Sequence, residues 1–429
     1  MFGRFRAFIR KSTAARFGLT LLLIAATGYS LFRVGRHFYA GHQLHAARIA
    51  LDEGRVVDAR SLLLVSLQLR PDDPEVHFLL ARAARRGGDF NEAQERLLQA
   101  KRLGAVPEAV KLERLLQDVQ RGDMGAAEKQ LWAYVEKDHP DTIDILEALA
   151  RGYMATFRLD LATIALDRLL ERQPKNGPAW IMRGNARYHM RGYSEAADNY
   201  RRGVGLAPDD RQGRLWLAEC LVENAKPAEA LEHFDYLEAQ APGDLTVALG
   251  RANCLLDLDR IDEASELLDR ALREAPDNAT AMALRGKLAL RRLELATAER
   301  WLRKAVELNP GDRDAVYNLS LCLRQQTDKQ KKLEAAKWFD HFKLIESEQA
   351  RVAALTSQIM ASPHAPAPRC EVGEVFLKIG NEKEGLRWLN SALQQDPHHQ
   401  ATHRVLRDYY RAKGQPDRAE PHERALTKS

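Results

Sequence analysis

Six prolines, Pro140, Pro174, Pro208, Pro242, Pro276 and Pro310, follow one another at intervals of 34 residues. Pro71 precedes Pro140 by 69 residues, two periods and one extra, and Pro363 and Pro397 are again 34 apart. The 429 residues would allow two or three globular domains, but a fixed internal ruler overrides that prior. A period of this length predicts a stack of helical hairpins in which each unit buries its apolar face only against its neighbours.

The residues inside each period say why a unit folds. With each proline set at place 32, place 20 is Ala59, Ala93, Ala162, Ala196, Ala230, Ala264 and Ala298. Place 8 is also small: Ala47, Ala81, Ala150, Gly184, Ala218, Ala252, Gly286 and Gly373. Small residues at both places let the two helices of a hairpin cross closely. Place 24 is bulky, with Leu63, Leu97, Trp132, Leu166, Tyr200, Phe234, Leu268, Leu302 and Leu389, and fills the space they leave. Gly54, Gly88, Gly380 and Gly414 share place 15, which predicts a left-handed end to the first helix. Asp72, Asp209, Asp277 and Asp312 follow the prolines and are expected to start the next helix.

One unit, with Trp180, Gly184, Tyr188, Ala196, Tyr200, Gly203 and Pro208, resembles the tetratricopeptide-repeat pattern, its tyrosine one place late and glycine in place of the last alanine. Units follow at 38–71, 72–105, 106–140, 141–174, 175–208, 209–242, 243–276, 277–310, 311–363, 364–397 and 398–429. The expected fold is all-α, a solenoid of about 10–11 such repeats. The array is regular over 38–310, carries an insertion in 311–363, and closes with the units and cap of 364–429. The resemblance implies protein or peptide partners bound on the concave face that the first helices line. The extra length of 311–363 is placed in the turn Thr327–Lys332 and in a second helix running to about Met360. It either elaborates a joint or protrudes.

The formal charge of +5 is uneven. Residues 1–36 hold seven basic side chains and no acidic one, while residues 37–429 carry 58 basic and 60 acidic. The repeat body therefore has no bulk attraction for nucleic acid. Behind the basic segment 1–16 lie 16 uncharged residues, Phe17 to Phe32. As a helix they reach roughly 24 Å, short of a ~30 Å hydrocarbon core unless flanking arginines snorkel. Residues 17–36 are expected to be a transmembrane signal anchor. A cleaved signal with its apolar part at Gly18–Ala26, or a transit segment, competes with it. The charge bias keeps the N-terminus cytoplasmic, which puts the repeats on the exported side of a bacterial inner membrane. A cytosol-facing anchored adaptor and a secreted repeat protein are the alternatives.

No phosphate loop, zinc-protease helix, nucleophile elbow or CxxC pair occurs, and the repeats leave no room for a separate catalytic domain, so no enzyme, cofactor or small-molecule substrate is expected. Cys220, Cys254 and Cys322 share one place in three repeats and read as buried fillers. Neighbouring equivalent helices pack about 8–10 Å apart, too far for a disulfide. His399 and His403 would share a helix face, but no third metal ligand is indicated. The inner-face candidates are Asn185, Asn253 and Lys287 at place 9, with Arg291, Tyr317 and Asn318 nearby and Trp216 as an aromatic facing the groove. Asparagine can pair with both N–H and C=O of an extended peptide, and a lysine or arginine can neutralise a carboxylate. The carboxylate-clamp pattern of chaperone-binding family members is not matched, and Glu219, Glu223 and Asp257 on the same face oppose a purely anionic ligand.

Overall fold

A computed structural model describes residues 13–427 of the chain. Among the described residues there are 22 helices and no strand. They form two compact units, Met1–Leu131 and Trp132–Ser429, with the boundary inside the helix Gly125–Glu136.

The hairpin logic is borne out residue by residue. All seven place-20 alanines are fully buried, as are the place-8 alanines. Where place 8 is glycine the fit is tighter. A Cβ on Gly184 would sit 2.7 Å from the Tyr200 ring, one on Gly286 2.5 Å from Leu302, and one on Gly373 2.6 Å from Leu389. Each clash is with the place-24 residue of the same hairpin, so small and large places are one packing device.

Place 15 adopts the left-handed conformation with and without glycine. Gly54, Gly88, Gly380 and Gly414 have φ of 76°, 84°, 87° and 66°. Phe157, Arg191, Ala225, Asp259 and Leu293 occupy the same place at 54–64°. A side chain there costs about 1–2 kcal/mol, so the stack imposes the turn where the sequence does not favour it.

The helix starts need correction. Of the four aspartates expected to cap, only Asp312 does so, accepting from the Ala315 N–H at 2.9 Å. In the other three units the cap is the following residue: Asp73 to Glu75 N–H, Asp210 to Gly213 N–H and Asn278 to Ala281 N–H. Paired polar residues after the proline offer two caps, and the two-residue turn selects the second.

In the N-terminal unit a 40-residue helix, Thr13–Asp52, supplies the first hairpin arm, burying Ala40, Leu44, Ala47, Ala50 and Leu51. Arg36 donates to the carbonyls of Gln68 and Leu69 and so caps the end of the helix Val56–Leu69. The basic segment 1–16 lies largely outside the described residues, as do most side chains of 17–32. No described helix is long and apolar enough to cross a membrane, so the expected span over 17–36 gains no support. Between repeats, fully buried Arg85 and Glu113 pair at 2.6 Å, with Gln120 accepting a second bond from Arg85.

The C-terminal unit winds until it meets itself. Repeat 364–397 packs against the turns of repeats 141–174 and 175–208. Arg369 donates to Asp160 at 2.7 Å with both side chains fully buried. Ser391 donates to the Phe157 carbonyl at 3.0 Å, Trp388 meets the Phe157 ring edge-on at 5.1 Å, and Arg191 lies over Phe376. Phe157 and Arg191 are two of the non-glycine residues at place 15. Their left-handed turns carry side chains into the seam where glycine would leave a gap. The insertion helps build this end. Lys329–Ala361 is one 33-residue helix whose distal Ile345, Val352 and Ile359 are fully buried, so the added length is packed and does not protrude.

The cysteines behave as fillers: all four are buried and unpaired as thiols. Cys220 and Cys322 donate to the carbonyls of Tyr193 and Leu295 in the preceding repeat. Burial pushes the thiols of Cys220 and Cys254 up to about 12, far from a reactive thiolate.

Candidate functional site on the inner helix face

All seven sequence candidates lie in the C-terminal unit, and five of them, Asn253, Lys287, Arg291, Tyr317 and Asn318, gather there. Lys287 Nζ donates to Asn253 Oδ1 at 3.0 Å and to Asp257 Oδ1 at 2.6 Å, linking place 9 of two successive repeats. Lys287 also lines, with Arg291, Asp314, Tyr317 and Asn318, a cavity of about 420 Å³. Its wall is mixed. Two cations face one carboxylate, and Tyr317, more than a third exposed, leans on Phe342 at 4.9 Å. The amide and phenol offer hydrogen bonds without excluding apolar contact.

The other two candidates, Asn185 and Trp216, lie outside this cluster. Asn185 reaches the hydroxyl of buried Tyr200. Trp216 is half-buried against the core of its repeats, its ring 6.3 Å from that of Tyr200.

The sequence marks Glu219 and Glu223 only as a weakening influence, yet both are perturbed acids of this face. Both carboxyls sit above the usual range, chiefly because protein surrounds them, with Glu223 adding its charge to Glu219. Glu223 also senses Asp314, Arg313 and Asp312, from a repeat three units further on, because the closed turn brings those first helices across from one another. Burial likewise raises Asp312. The inner face therefore changes sign along its length, acidic near 219–223 and mixed at 287–318. The Phe157, Asp160 and Arg369 seam is not legible in the sequence; the one hint is an aromatic, Phe157, at a place held by glycine in four repeats and by Arg191, Ala225, Asp259 and Leu293 in others.

Among the described residues no three His, Cys, Asp or Glu side chains converge. His403 is instead buried against His422, Nδ1 to Nδ1 at 2.9 Å, and its Nε2 faces the Pro397 carbonyl. One ring of the pair must be the donor and the other the acceptor.

Residues 50–116 and 221–288 match a tetratricopeptide-repeat family model, and residues 181–244 match a second. These stretches are tetratricopeptide repeats. No curated protein matches the chain. Among solved structures it is similar to PilW, a type IV pilus biogenesis factor, at 21% identity over 45% of this chain and 90% of that one, TM-score 0.38. A tetratricopeptide-repeat protein from Parabacteroides merdae is 19% identical over 66% and 99%, TM-score 0.34. A monomeric mutant of IFIT1 with Gppp-AAAA is 16% identical over 82% and 90%, TM-score 0.39. These likenesses carry no functional argument.

Proposed function

We propose that the chain is a protein-interaction adaptor that holds an extended segment of a partner on the inner helix face of its C-terminal unit. The observation that carries this is the Asn253–Lys287 pair and the adjoining cavity lined by Arg291, Tyr317 and Asn318. Hydrogen-bonding side chains at one repeat spacing suit a backbone that repeats its own donors and acceptors. A face that is acidic near 219–223 and mixed at 287–318 favours a partner of mixed charge over a polyanion.

A photo-cross-linking residue in place of Tyr317, used in intact cells, should trap a small set of proteins. The Asn253→Ala/Lys287→Ala variant should lose them while keeping its helicity. An unchanged set would refute the groove assignment.

Attachment to a membrane through residues 17–36, with the repeats exported and acting in assembly of envelope complexes, belongs to the same proposal. It rests on the acid-free, basic-flanked sequence of that segment. A reporter fused after Ser429 that is active only in the cytosol would overturn this topology and leave the groove untouched.

A further inference from the structure

The N-terminal unit holds a second cavity, of about 910 Å³, between the second helix of repeat 72–105, Phe90–Arg102, and the first helix of the next, Pro107–Gln120. The same junction is sealed elsewhere in the array by a recurring ion pair. Arg183 pairs with Asp167 at 2.6 Å, Arg251 with Asp235 at 2.8 Å and Arg285 with Asp269 at 3.3 Å. In each case an arginine of a first helix reaches back to an aspartate on the preceding second helix. Arg114 and Leu98 are the equivalent residues here, 69 positions before Arg183 and Asp167. The arginine is kept, and the aspartate is replaced by a leucine that is half-exposed.

The cavity thus presents a cation whose usual carboxylate is absent from the chain. Lys101, Lys111 and Arg121 line it as well, against a single acid, Asp118. This concentration is local, because residues 37–131 carry 14 basic and 14 acidic side chains. A further polar group points to a ligand: Gln117 lines the cavity, is only 4% exposed, and its Nε2 donor has no partner. A buried amide donor left unpaired costs free energy that an incoming oxygen would recover.

We propose that this cavity docks an acidic peptide segment of another protein, with a carboxylate on Arg114, a main-chain or side-chain oxygen on Gln117, and an apolar side chain on Leu98 and Val110. No aromatic side chain lines the cavity to stack a nucleobase, and the leucine floor favours a peptide over a nucleic acid. The site is separate from the inner-face groove of the C-terminal unit and does not depend on it.

The test uses the full chain and a fluorescent peptide of alternating Glu and Leu, read by anisotropy. Binding is expected to weaken with salt and to vanish when lysine replaces glutamate in the peptide. Leu98→Asp restores the aspartate found at the other junctions and should weaken binding at least tenfold by satisfying Arg114 internally. Lys111→Glu, at an exposed position, should do the same with unchanged helicity. No binding to the unaltered chain, unchanged affinity in Leu98→Asp and Lys111→Glu, or displacement of the peptide by single-stranded RNA at equal charge would each overturn the proposal.

Discussion

Two buried arginine–carboxylate pairs set the two units apart. In the N-terminal unit Arg85 and Glu113 lie 28 residues apart in adjacent repeats, whereas in the C-terminal unit Arg369 and Asp160 lie 209 apart. The local pair adds to an interface that stacking would form anyway. The distant pair forms only when seven repeats, 141–174 through 364–397, have wound a full turn. Measured from an unfolded chain, the longer loop costs about 2 kcal/mol more to close. The Phe157–Trp388 contact and the Ser391 bond to the Phe157 carbonyl offset that cost. Arg369 Nε and Nη1 have no partner, and burial raises the Asp160 carboxyl against the pull of Arg369. An incompletely satisfied pair of this kind contributes little net stability. Its role is to fix which surfaces meet.

The sharpest way to break the comparison is to remove one partner from each pair. Arg369→Leu strands Asp160 in the buried seam and should cost roughly 3–5 kcal/mol in denaturant unfolding; Arg85→Leu should cost less, because Glu113 keeps Arg82 at 3.6 Å. Hydrogen exchange should separate them. The first should loosen both 157–160 and 366–395, and the second only residues around 72–120. If Arg369→Leu affects 366–395 alone, the seam does not couple distant repeats. The double change Asp160→Leu/Arg369→Leu should recover most of the loss, because no charge is then stranded.

Next in size is the pH response of the C-terminal unit. The carboxyls of Glu219 and Glu223 titrate above the ordinary glutamate range when folded. The native state then binds more protons than the unfolded state, so stability falls as pH rises from the ordinary value through the raised one. Glu219→Gln/Glu223→Gln should raise the melting temperature at pH 7 by several degrees, leave it unchanged near pH 4, and flatten the profile between. An unchanged profile would mean that the closed turn does not crowd these acids.

The smallest effect tests the left-handed turns. Leu293 is 74% exposed at φ 61°, so Leu293→Gly should stabilise by about 1 kcal/mol. Phe157→Gly relieves the same backbone but deletes the seam contact, and should destabilise despite it. A gain in both variants would show that Phe157 contributes nothing to closure.

Much of the hairpin is legible in the sequence because its determinants recur every 34 residues: the alanines at place 20, the bulk at place 24, the turn at place 15. Periodicity reports contacts between neighbours and is silent on residues 209 apart, so the Arg369–Asp160 seam left no trace in the ruler. It also cannot choose between Asp72 and Asp73 as a cap, since both are competent and only the turn geometry decides. For the candidate site, the repeat spacing brings Asn253 and Lys287 into contact beside the cavity, whereas Asn185 and Trp216 lie near Tyr200, outside it.

The seam also gives the array a phase. An open stack can gain or lose whole repeats during evolution or engineering, since each end simply moves. Between Asp160 and Arg369 that freedom is gone. Deleting one 34-residue unit from 209–310 would carry Arg369 one step short of its mate, and duplicating one would carry it past. The length of this segment is therefore held to an integer, as the teeth of a gear are.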